Sequence, residues 1–166
     1  MLICSGNDYA DSLSASATGK PILLVNTSLN TLQKDFISDI ESNRCYVIGG
    51  TGAVTGTIEE QLKDYGKNVK RISGKNRYET SVAVADWFFD KSVNTMFLAY
   101  GDDFPDGLVS GSLAKSLNAP VILVTEKNIR YAQHYSEANS IQNFAAVIGP
   151  AFLTEEAYGQ IARIDK

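Results

Sequence analysis

The chain has 166 residues, 44% of them hydrophobic, which is enough to bury one real core and points to a single domain. Its net charge of -4 argues against a general nucleic-acid binder. No apolar run approaches the roughly 20 residues needed to span a bilayer, and Met1 leads into Leu2-Ile3-Cys4 with neither a basic leader nor a small-residue cleavage site, which leaves export undecided.

Short β-rich runs alternate with helical patterns from end to end. Strands are predicted at Leu2–Cys4, Ile22–Val25, Cys45–Ile48, Val69–Ile72, Met96–Tyr100, Val121–Val124 and Ala145–Ile148, with one more at Ala162–Ile164. Helices are predicted between them, near Asp8–Thr18, Thr31–Ser42, Thr57–Tyr65, Arg77–Asp90, Pro105–Asn118, Tyr131–Ser140 and Thr154–Gly159. Strands separated by helices of this length imply right-handed crossovers and a mostly parallel sheet covered on both faces, so the fold class is α/β. Cys4 and Cys45 each fall in a predicted strand and read as buried apolar side chains rather than a bridge.

Two helices carry their own signals. In "NRYETSVAVADWFFD", Asn76 is placed to cap the first turn, with Glu79 three residues on, while Tyr78, Val82, Ala85 and Phe89 recur at helical spacing as one apolar stripe. In "DDFPDGLVSGSLAKSLN", Pro105 suits a first turn and the aspartates complement the positive end of the helix dipole. Leu108, Leu113 and Leu117 are expected to face inward there. Gly107, Ser110, Gly111, Ser112 and Ala114 leave room for another backbone.

The chain repeats itself. Gly6 and Gly101, Asp8 and Asp103, Asp11 and Asp106, and Leu13 and Leu108 share an offset of 95, Pro21 and Pro120 one of 99, and Val47 and Val147 one of 100. "VKRISGK" is echoed by "IARIDK". Residues 1–68 therefore read as the C-terminal part of one unit and 69–166 as a second, nearly complete one, together forming one compact structural unit.

The repeat bears on the carboxylates Asp102, Asp103 and Asp106. Two of them recur as Asp8 and Asp11, whereas Asp102 becomes Asn7, so a Gly-x-Asp turn opening a helix explains the pattern better than a metal site does. The Gly49-Gly50-Thr51-Gly52 turn lacks a Walker-type lysine and dinucleotide spacing, and its second copy reads Gly149-Pro150-Ala151-Phe152, so it is taken as a tight strand-to-helix connection. His134 is the one histidine, expected on a helix surface, and no motif for nucleophilic or zinc catalysis accompanies it. Neither a catalytic residue, a metal nor a cofactor is assigned.

Charge is unevenly spread. Between Lys67 and Arg77 lie five cations and no acid, leaving 10 basic against 19 acidic residues elsewhere. A local basic segment on an acidic chain points to a specific anionic partner, with a solvated connector as the plainer reading.

Taken in order, "RISGKNRYETSVAVA", "YGDDFPDGLVSGSLAKSLNAPVILV" and a "VIGG" strand with a Gly-rich turn resemble the cell-wall-binding repeat type 2 family of Gram-positive surface proteins, over essentially the whole chain. The resemblance implies a Rossmann-like module, used in tandem sets that pack together, which anchors a secreted surface protein non-covalently to an anionic cell-wall polymer. It also implies that any catalytic activity belongs to another domain. The family's Pro-Ile-Leu-Leu-Leu stretch, linked to anchoring, corresponds to Pro21-Ile22-Leu23-Leu24-Val25 and less faithfully to Pro120-Val121-Ile122-Leu123-Val124, both ending in valine. Candidate polymer-binding residues are accordingly Lys70, Arg71, Lys75 and Arg77 with Pro21, Ile22, Leu23, Leu24 and Pro120, and self-association through other repeats is expected. The alternatives are that the apolar runs are fully buried parallel strands, with strand and helix ends as the contact points, and that Arg77 pairs with a carboxylate to hold its helix start. Two rival classes remain, a nucleotide- or small-molecule-using α/β enzyme and an oligomeric structural surface domain.

Overall fold

The computed structural model describes residues 1–102, 105–148 and 152–163, with the backbone alone for 105–109. The elements run β1 (Leu2–Ser5), α1 (Ala10–Ser16), β2 (Ile22–Val25), α2 (Thr31–Asp39), β3 (Arg44–Ile48), α3 (Gly56–Asp64), β4 (Asn68–Ile72), α4 (Arg77–Phe88), β5 (Thr95–Tyr100), α5 (Pro105–Ser116), β6 (Val121–Val124), α6 (Arg130–Asn139), β7 (Asn143–Val147) and α7 (Glu155–Ala162). Every strand pairing is parallel, and helices cover both faces as the alternation requires. The strands divide between two sheets, however, ordered β2-β1-β3-β4 and β6-β5-β7, where the sequence suggests one. The predicted strand at Ala162–Ile164 is not formed at its start, because Ala162 closes α7 and Arg163 caps it in the left-handed conformation, while Ile164 lies outside the described residues.

Period-two burial sorts each strand between two cores. In the first sheet Ile3, Cys45 and Val47 point toward Ile37 of α2 and Ile58 and Leu62 of α3, whereas Leu2, Cys4, Ile48 and Ile72 point toward Ala15 of α1 and Val84 of α4. In the second, Met96, Leu98, Ile122 and Val124 meet Ala85, Ala132, Tyr135, Ala157 and Ile161, while Phe97, Ala99, Val121 and Leu123 meet Ala10, Ala17, Tyr78 and Ala114. Helices α1 and α4 thus contribute to a core on each sheet and pack against one another. That is why α4 has no single apolar stripe: Val82, Ala85 and Phe89 serve the second sheet while Ala83, Val84 and Phe88 serve the first. Cys4 and Cys45 are buried, unbridged and on opposite faces, and burial pushes the Cys4 thiol up to about 12.

The two halves correspond in the register of their first two strands. The amide of Gly6 donates to the carbonyl of Val25 at 2.7 Å and that of Gly101 to Val124 at 2.9 Å, so the offsets of 95 and 99 hold in space. At the third strand they do not hold as read: Ile3 pairs with Val47 and its counterpart Leu98 with Ala146, so Val47 corresponds to Ala146 and not to Val147. Strand β4, which the sequence assigns to the head of the second unit, pairs with β3 of the first sheet. On α5, Gly111 and Ala114 are buried, and a Cβ on Gly111 would lie 1.9 Å from Ser16 Oγ, so α1 crosses where the small residues allow it. Leu113 and Leu117 are 49% and 57% exposed instead of facing inward, because the buried side of α5 is its small-residue side.

Candidate functional site

The carboxyl ends of β1 and β5 hold the two copies of the Gly-x-Asp turn. After β1, Asp8 Oδ1 accepts the amide of Ala10 at 3.1 Å in a turn that precedes the cap residue Tyr9, which makes no side-chain cap bond itself, and Asp11 sits in the first turn of α1. Asp11 packs under the Gly-rich turn: Gly49 has φ +106°, and a Cβ there would lie 2.2 Å from Asp11 Oδ2. Burial, then the charge of Asp8, push the Asp11 carboxyl up to about 6, against the opposing pull of Arg77. Gly49 therefore belongs to a close strand-to-helix connection. In the second copy Asp103, Gly149, Pro150 and Ala151 lie outside the described residues, and Asp106 outside the described side chains. Among the described residues no cluster of three metal-binding side chains occurs.

Arg77 joins the two turns. From the first residue of α4 its guanidinium donates to the carbonyl of Gly101 and to Asp8 Oδ2 at 3.1 Å, with Asp102 Oδ1 at 3.8 Å. The next residue continues the bridge. Tyr78 donates to Asp102 Oδ1 at 2.9 Å, stacks on Tyr131 with ring centroids 6.0 Å apart, and approaches Gly101 so closely that a Cβ would lie 2.5 Å from its ring. The helix start itself is held as the sequence predicts, with Asn76 Oδ1 accepting the Glu79 amide at 2.9 Å. Glu79 reaches back one residue further than expected, to the amide of Lys75 at 2.8 Å.

The candidate binding residues occupy different places. Arg71 is committed to the scaffold: its three guanidinium nitrogens donate to Glu59 Oε1 at 2.8 Å, the Gly49 carbonyl at 2.6 Å and the Val54 carbonyl at 2.9 Å. Arg77 is committed to the inter-turn bridge. Lys70 and Lys75 are exposed, and among the described residues neither forms an ion pair. Pro21 is exposed, Ile22 and Leu23 are half-buried and Leu24 is 51% exposed on edge strand β2, whereas Pro120 is buried at the head of β6. Strands β2 and β4 are opposite edges of the first sheet, so Lys70 and the Pro21–Leu24 stretch do not converge. Beside Leu24, however, lies an open cleft of about 270 Å³ lined by Gly6, Asn7, Asp8, Tyr9 and Ser12. The sequence points to strand and helix ends as contact points and offers a carboxylate as an alternative partner for Arg77; the residues of this cleft and the identity of that carboxylate as Asp8 are what the structure adds.

The profile of cell wall binding domain 2 (CWB2) matches residues 2–59 and 71–156, one stretch in each half. The chain belongs to that family. This CWB2 chain is 30% identical over 164 residues to the N-acetylmuramoyl-L-alanine amidase LytC of Bacillus subtilis, covering 94% of this chain and 32% of the amidase. It spans, therefore, about a third of that relative. Its fold is that of Cwp6 from Clostridium difficile, with a TM-score of 0.79 at 23% identity over 99% of this chain and 27% of that one. Cwp8 from the same organism is similar, with a TM-score of 0.78 at 21% identity over 98% and 29%. Membership makes this a cell-wall-binding domain of repeated α/β build, with the wall or cell surface as its setting. No helix among the described residues is long and apolar enough to cross a membrane.

Proposed function

We propose that this CWB2 domain is a non-catalytic anchor that holds an anionic wall polymer and so retains a secreted surface protein at a Gram-positive wall, any catalysis belonging to another domain. The observation that carries the reading is the family match in both halves of the chain. Two features support it. The cleft beside Leu24 is open and lined by amide, hydroxyl and carboxylate groups with one aromatic ring, a lining that suits a saccharide chain passing through better than a small substrate sealed from water. Lys70 and Lys75 supply exposed positive charge to an otherwise acidic chain. The test is retention on purified walls with the anionic polymer present and after its removal, across a salt series, for the wild type and Lys70→Glu/Lys75→Glu. Each exposed contact contributes only about 0.2–1 kcal/mol, so the double reversal is needed for a clear loss.

Self-association belongs to the same proposal. Leu32 and Phe36, one turn apart on α2, are 80% and 46% exposed. Large apolar side chains left in water in this way favour a protein partner, and we assign this face of α2 to another repeat.

A further inference from the structure

The register of the first sheet sets Leu2, Tyr46 and Lys70 side by side, because Leu2 pairs with Tyr46 and Tyr46 with Lys70. On this face the last turn of α4 comes down over the strands and brings Trp87 and Phe88 to Tyr46, with ring centroids 6.3 and 5.2 Å away. Trp87 is the chain's one tryptophan, and it is 46% exposed. Lys70 Nζ stands 3.5 Å from the centroid of its ring. Arg44, Tyr46, Asn68, Lys70 and Trp87 line a groove of about 180 Å³ whose lining includes two cations and no acid. On the flank, Lys20 Nζ lies 5.8 Å from the ring of Phe88.

The groove is not required by the repeated scaffold. The counterpart of Tyr46 is Ala145, since Leu2 pairs with the one as Phe97 pairs with the other. Lys70 Nζ covers one face of the indole, and the exposed remainder of Trp87 beside the tilted tyrosine ring offers an apolar wall of the kind that packs against the C–H face of a pyranose. The ammonium held over the ring, with Arg44 across the groove, supplies fixed positive charge for an oxyanion carried by that sugar, and Asn68 offers an amide to its hydroxyls. We propose that the groove formed by Arg44, Tyr46, Asn68, Lys70 and Trp87 is a second binding site, which takes an acidic saccharide unit, a pyranose bearing a carboxylate or phosphate. The proposal deepens the wall-anchor reading by adding a contact on the edge of the first sheet opposite β2, so that one polymer or two can be held at separate places.

The single tryptophan is its own reporter. Fluorescence of the intact domain is titrated with a hyaluronan hexasaccharide, a phosphorylated oligomannose, neutral chitohexaose and poly-glutamate. A saturable change with either acidic saccharide, absent with chitohexaose and poly-glutamate, is expected. Lys70→Gln/Arg44→Gln, both at exposed positions, should weaken it about tenfold with the melting temperature unchanged. No response to either acidic saccharide, an equal response to the neutral one, an equal response to poly-glutamate, or a response unaltered in the double variant would overturn the site. Wall retention is measured in parallel: retained protein with a silent Trp87 removes this site and leaves the anchor reading, while a responsive Trp87 without retention removes the anchor reading and leaves the site.

Discussion

Strands β2 and β6 carry nearly the same five-residue stretch, "PILLV" and "PVILV", at corresponding places in two halves of one chain, and they live in different surroundings. Leu24 is 51% exposed and its counterpart Leu123 is 0% exposed. Pro21 is in water while Pro120 is buried. Both are edge strands, so position in the sheet does not explain the contrast. What differs is cover. Helices α1 and α4 lie against β6, and Ser81 Oγ of α4 accepts the outward amide of Leu123 at 3.1 Å. Beside β2 stands Gln33 of α2, whose Nε2 donates to the Leu24 carbonyl at 2.8 Å, yet the Leu24 side chain stays in water. Edge strands present unpaired backbone groups, and this molecule buries one edge under helices and only bridges the other. A motif of fixed sequence is therefore core in one copy and surface in the other, and only the second can meet a ligand or another chain.

The largest expected effect follows directly. Leu123→Ala should cost about 2–5 kcal/mol of stability, as a fully buried leucine does, and Leu24→Ala less than about 1 kcal/mol, both by urea denaturation. Ser81→Ala should fall between them at about 1–3 kcal/mol, because it leaves a buried amide without its acceptor. Equal losses at Leu24 and Leu123 would break the contrast.

The covering helix α1 adds a pH-dependent term through Asp11. Its folded-state value of about 6 lies above its ordinary value of 3.8, so across that window the folded protein keeps a proton that the unfolded chain has released. Stability must then fall as pH rises from about 4 to 6, by at most about 3 kcal/mol. Asp11→Asn should remove that share of the slope. A wild type and variant with parallel stability–pH curves would show that Asp11 is not held as the packing against Gly49 requires.

A smaller effect concerns the exposed face of α2. If another repeat covers Leu32 and Phe36, light scattering at high concentration should show association that Leu32→Asp lowers while the fold survives. A clean monomer for both proteins would refute the assignment.

Much of this could be read in the sequence, for reasons that lie in particular residues. Periodicity and caps placed the strands and helices because they are local: Asn76 caps the Glu79 amide three residues on, and "YVIGG" ends a strand at a glycine with positive φ. The cleavage into two sheets was hidden, because α4 looks like any apolar helix until it is seen to serve both sheets. The role of Arg71, and the partners though not the carboxylate pairing of Arg77, were hidden for a related reason. A basic run looks like a ligand site until Glu59, Gly49 and Val54 are found around one guanidinium and Asp8 and Gly101 around the other, partners 12 to 69 residues away. The groove at Trp87 depends on strand register, which joins Tyr46 to Lys70 and cannot be read from either segment alone.

The most direct measurement for the central claim is retention of the domain on purified Gram-positive walls before and after chemical removal of their anionic polymer, at low and high salt. The anchor reading predicts retention on intact walls, its loss after stripping, and a decline with ionic strength as exposed charges are screened beyond about 10 Å at 0.1 M. It further predicts that Lys70→Glu/Lys75→Glu lowers retention while Arg77→Ala acts mainly through stability. Equal retention on intact and stripped walls, indifferent to salt, would contradict it.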